Sequence, residues 1–151
     1  MNTFLQSLYR PLLGFLLLVF MLFYPMLISI YVFLPLFIGL VGYLFIVGIE
    51  QKKWYSVLLS IVYFINLEVN LSLPFFLMML SSLVVYAVFY KKLSQVKRCK
   101  VCVKIFLVLL LDVFYLACLL GYDFIFQMTS VGLDVILAYS LVVDILVVIV
   151  L

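Results

Sequence analysis

The chain has 151 residues, of which 71% are apolar and only 10% charged, with a net charge of +3. Soluble domains carry roughly 25% charged residues and must cover themselves with polar groups. This composition excludes a soluble enzyme, a disordered tail and a nucleic-acid-binding domain. It leaves an all-α integral membrane protein, because no segment is long enough for a separate soluble domain.

A membrane-spanning chain satisfies its backbone either in helices or in a closed β-barrel. Barrel strands alternate apolar and polar residues, whereas this chain has unbroken apolar runs such as Ile105–Leu111 and Ile145–Leu151. No charged residue occurs from Pro11 to Ile49. The first run is far longer than the apolar core of a signal peptide and is followed by no small-residue cleavage site. It is expected to be a retained span.

Three apolar stretches follow one another: Pro11–Ile49, Trp54–Tyr90 and Ile105–Leu151. Each has about 40 residues, and one helical span needs about 20. Each stretch therefore reads as a helical hairpin. The whole is a single polytopic bundle, 1–151, of about six transmembrane helices, over 8–28, 31–49, 54–70, 74–90, 105–125 and 133–151. The joints between stretches are basic. With both termini cytoplasmic, all nine Lys and Arg residues fall on the cytoplasmic side, as the positive-inside rule requires. The second joint is the most basic, with Lys91, Lys92, Lys97, Arg98, Lys100 and Lys104. It suits anionic headgroups or an acidic cytoplasmic partner.

Three outer tips remain. The first lies between Pro25 and Pro35, the second runs from Asn66 to Pro74, and the third from Tyr122-Asp123 to Leu133-Asp134. Glu68, Asp123 and Asp134 fall at these tips and are expected to be solvated interface charges.

Candidate chemistry is sparse. There is no His, which removes the commonest metal ligand and proton shuttle. No phosphate loop, nucleophile elbow or metalloprotease motif occurs. Cys99 and Cys102 form one C-x-x-C, a weak zinc or redox signal without a second pair. No catalytic residue and no cofactor is expected. Asp112 and Asp144 stand apart, because carboxylates inside spans are costly and imply a role. Asp112 lies eight residues beyond Lys104 and Asp144 seven before Leu151, so both sit about 10–12 Å from the same face at helical rise. They read as a facing pair, of which one member stays protonated unless a counter-charge arrives. Their partner is open: a proton, a cation, the hydroxyls of Tyr115, Tyr139 or Ser140, or a basic residue of another protein. They also suit plain hydrogen bonding between helices.

The segment Tyr63-Phe64-Ile65-Asn66-Leu67 through Leu73-Pro74 to Ser82-Leu83-Val84-Val85-Tyr86, with Leu109-Leu110-Leu111-Asp112-Val113, resembles the rod-shape-determining membrane protein MreD family of bacteria. The chain departs from that pattern at Asn66, where the family has Asp, and at Pro74, where it has Gly. The resemblance implies a non-enzymatic inner-membrane scaffold of cell-shape and peptidoglycan synthesis, with other membrane proteins as partners. The six-helix plan is also similar to substrate-binding membrane subunits of vitamin uptake systems, which keeps a small-solute binding or transport subunit as the alternative. A cavity at Asp112 and Asp144 would favour transport. A filled interior with exposed apolar faces would favour the scaffold.

Overall fold

A computed structural model describes residues 2–31, 34–90, 92, 100–127 and 133–150. Six helices and no strand occur among them: α1 Asn2–Ile30, α2 Ile38–Glu50, α3 Trp54–Asn70, α4 Leu77–Val85, α5 Lys100–Phe126 and α6 Leu133–Val150. A five-residue π turn, Tyr86–Tyr90, continues α4. Val101–Phe126 is by itself long and apolar enough to cross a membrane. Gly14–Ile30, Ile38–Glu50, Leu77–Tyr90 and Val135–Val150 are apolar but shorter.

The first turn falls later than the prolines suggest. α1 continues through Pro25 to Ile30, because one missing N–H is tolerated where neighbouring helices brace the turn. Tyr31 and Leu34–Phe37 are non-helical, and α2 starts only after Phe37 adopts a left-handed φ of 50°. The helix expected from residue 31 therefore begins at Ile38. α2 ends in a Schellman motif: Lys53 N–H donates to the Gly48 carbonyl and Lys52 N–H to that of Ile49. α3 ends in the same way, with Leu73 N–H to Glu68 and Ser72 N–H to Val69.

Contacts fix the helix directions. The Tyr55 hydroxyl donates to the Gly14 carbonyl and the Asn66 amide to that of Leu22, so α1 and α3 run parallel. α2 lies among α3, α4, α5 and α6, while α1 rests against α3. Ile46, Val85, Leu107 and Leu111 form one cluster, which brings the C-terminal ends of α2 and α4 to the start of α5. Leu119 and Leu137 line one void, as an antiparallel α5/α6 pair demands. Lys52, Lys53, Lys92 and Lys104 thus belong to one end of the bundle.

A larger cluster joins Met21, Tyr24 and Ile28 of α1 to Val41 and Phe45 of α2, Tyr63, Phe64 and Leu67 of α3, and Met78, Tyr115, Leu119 and Leu137. Small residues let the helices close up. A Cβ at Gly39 would stand 2.7 Å from Val108 Cγ1, and one at Gly48 would stand 3.0 Å from Val57 Cγ2.

Candidate functional site

The polar centre of the molecule forms where α2 begins. Asp112 is the thirteenth residue of the 27-residue α5, so it lies midway along that helix. Gly39 meets it there, with an added Cβ only 2.6 Å from Asp112 Oδ2. α2 is only 13 residues long, about 20 Å at helical rise, and its N-terminus opens at this depth rather than at an outer surface. The non-helical segment before it, Leu34–Phe37, is therefore carried inside.

Non-helical backbone at such depth persists only where protein groups satisfy it. Here three helices do so. The Tyr24 hydroxyl of α1 donates to the Pro35 carbonyl at 2.8 Å, and the Tyr63 hydroxyl of α3 donates to the Leu36 carbonyl at 2.6 Å. The orphan N–H groups of the first helical turn go to α6. Gly39 N–H donates to Asp144 Oδ2 at 2.8 Å and Leu40 N–H to the same oxygen at 3.3 Å. These are the N2 and N3 donors that a local Ser or Asp cap normally takes. Phe37 supplies no cap, so a carboxylate more than 100 residues away replaces it. The helix dipole adds to the attraction.

The second tip repeats the device. Phe76 adopts a φ of 64°, and α4 follows at once. Glu68 Oε2 accepts the Phe76 N–H at 2.7 Å and Oε1 the Met78 N–H at 2.8 Å. Glu68 is 1% exposed. The expected solvated charge is instead a buried cap, because the Schellman turn after α3 folds the start of α4 back over it. The sequence carries a signal for both breaks: Leu34-Pro35-Leu36-Phe37-Ile38 parallels Leu73-Pro74-Phe75-Phe76-Leu77. Tyr24 and Tyr63 stand equally far upstream of the two prolines.

Asp112 and Asp144 both converge on Gly39, yet they are not equivalent. Asp144 is fully buried and has one engaged oxygen. Asp112 is 4% exposed, and its carboxylate faces the Gly39 N–H without either oxygen completing a hydrogen bond. Asp144 Oδ1 and the Tyr115 hydroxyl are also buried without one. The expected hydroxyl partners lie elsewhere: Ser140 donates to the Leu137 carbonyl of its own helix, Tyr139 is exposed, and Tyr115 lies near Glu68.

The remaining expected residues fall apart from this centre. Asp123 is half-buried near the end of α5, and Asp134 is in the first turn of α6. Lys92 and Cys102 are exposed, Lys104 is half-buried, and Lys100 opens α5. Lys91, Lys97, Arg98 and Cys99 lie outside the described residues, as does part of the third tip, residues 128–132. No three His, Cys, Asp or Glu side chains gather as a metal site among the described residues. The space between Leu36, Ile38, Leu73, Tyr115, Leu119 and Leu137 has no room for a water molecule.

No family model, curated protein or solved structure matches the chain.

Proposed function

We propose that this chain is a non-enzymatic, six-span inner-membrane scaffold with both termini cytoplasmic, in keeping with its resemblance to the MreD family of cell-shape proteins. One observation carries the reading. Two of its buried carboxylates, Asp144 and Glu68, are occupied in holding the starts of α2 and α4. They are parts of the frame rather than groups offered to a substrate. The apolar surface then points outward, with Phe106, Leu109, Val113 and Leu120 exposed along α5 and Val135, Val142, Leu146 and Ile149 along α6. Such faces suit lipid and the helices of other membrane proteins, with which small residues and shape make the contacts.

The test is purification from the native membrane in mild detergent. The scaffold reading expects defined membrane partners of the cell-wall elongation machinery at constant ratio. A monomer that carries only lipid, or a bound small solute, contradicts it.

Asp112 favours the second reading, a small-solute or ion-binding subunit, because its oxygens are unpartnered inside the bundle. Under that reading Asp112→Asn abolishes uptake. Under the scaffold reading Asp112→Asn leaves partner recovery unchanged.

A further inference from the structure

At the basic end of the bundle, the turn from α2 to α3 holds an open apolar groove of about 240 Å³. Gly48, Ile49 and Val57 form its walls, and Lys52 and Trp54 stand at its rim. Gly48 creates the narrow floor, since its missing side chain lets α3 approach to a hypothetical Cβ distance of 3.2 Å at the Val57 nitrogen. Three neighbouring residues shape the rim. Lys52 takes the left-handed position of the Schellman motif with φ 54°, a place where Gly is the ordinary residue. Lys53 follows it. Trp54, 82% exposed, is the chain's one tryptophan, and it is of the type that settles at the headgroup level. Glu50 is the acidic neighbour, so the turn keeps one net positive charge.

We infer that this groove binds an anionic phospholipid, with the phosphate at Lys52 and Lys53, Trp54 at the glycerol level, and an acyl chain along Ile49 and Val57. Charge selects the lipid, and the apolar walls supply the seat. The left-handed Lys52 turns its backbone to close α2 while its side chain stays at the groove. A separate apolar groove lies between α1 and α3, lined by Leu18, Met21, Leu22, Tyr55, Leu58 and Leu59. The inference rests on the membrane reading above.

Because Trp54 is the only tryptophan, its fluorescence reports this one place. The full chain is reconstituted in phosphatidylcholine vesicles containing a small, fixed fraction of either brominated phosphatidylglycerol or brominated phosphatidylcholine. One net charge predicts about fivefold stronger quenching of Trp54 by the anionic lipid, equivalent to about 1 kcal/mol per basic residue near the surface. The Lys52→Gly/Lys53→Gln variant, which keeps the left-handed turn, is expected to quench equally with both lipids. Equal quenching of the unaltered chain overturns the inference and leaves the groove to an acidic segment of a partner protein. A preference that survives in the variant overturns it as well. Absence of quenching by either lipid contradicts the membrane reading itself, and the inference with it.

Discussion

Asp144 and Gly39 are joined across the bundle by a 2.8 Å hydrogen bond from the Gly39 N–H to the carboxylate. Asp112 closes on the same glycine from the direction a Cβ would take. α2 is thereby pinned at its first turn by α6 and wedged against α5. The wedge depends on glycine and the pin on a carboxylate, so each can be tested separately.

The two aspartates are expected to respond in opposite ways. Asp144→Leu leaves the Gly39 and Leu40 N–H groups without a partner and is expected to cost about 2–4 kcal/mol, the scale of unsatisfied buried donors. Asp144→Asn keeps an acceptor oxygen and is expected to cost about 1 kcal/mol. Asp112→Leu removes two unpartnered buried oxygens and is expected to be neutral or stabilising. Thermal unfolding of the purified variants in one detergent measures all three. Equal losses at positions 112 and 144 would contradict the asymmetry.

Gly39→Ala is expected to destabilise by about 1–3 kcal/mol, the usual scale of overpacking. Its Cβ would lie 2.6 Å from Asp112 Oδ2 and 2.7 Å from Val108 Cγ1, so something must shift. A combined Asp112→Ala/Val108→Ala background makes room for it. In that background the added methyl should cost markedly less, which a double-mutant comparison of melting temperatures checks.

Glu68 is expected to govern the start of α4. Glu68→Gln keeps one acceptor for the Phe76 and Met78 N–H groups, and Glu68→Ala keeps none. Hydrogen exchange at the amides of residues 76–78 should quicken modestly in the first variant and by about tenfold or more in the second, corresponding to 1.4 kcal/mol or more of lost protection. Unchanged exchange in Glu68→Ala would show that the carboxylate holds nothing.

Much of this frame can be read from residue patterns. Unbroken apolar runs and basic joints point to six helices, and simple counting from Lys104 and Leu151 places Asp112 and Asp144 at one depth. The breaks carry a weaker sequence signal. Pro25 looks like a turn residue, yet α1 runs through it, and Pro35 sits inside a half-buried, non-helical segment. The start of α2 is set by Phe37 in a left-handed conformation, which no propensity favours for a bulky residue. Glu68 lies among Asn, Ser and Pro and so resembles a solvated loop charge. Its burial depends on backbone donors eight and ten residues ahead that exist only once Phe76 has turned. The parallel Leu-Pro-x-Phe segments, each with its upstream tyrosine, were the available signal for both breaks.

The central claim is a six-span bundle whose basic end faces the cytoplasm, and site-directed cysteine labelling tests it most directly. Cys99, Cys102 and Cys118 are first replaced by Ser, and Ser72→Cys or Lys53→Cys is then introduced singly. Ser72 is exposed at the tip between α3 and α4, and Lys53 lies at the opposite, basic end. A membrane-impermeant maleimide is expected to label the Ser72→Cys variant in intact cells with a permeabilised outer envelope. It labels the Lys53→Cys variant only after the inner membrane is broken. Labelling of Ser72→Cys only after lysis, or of both variants from the same side, would contradict it.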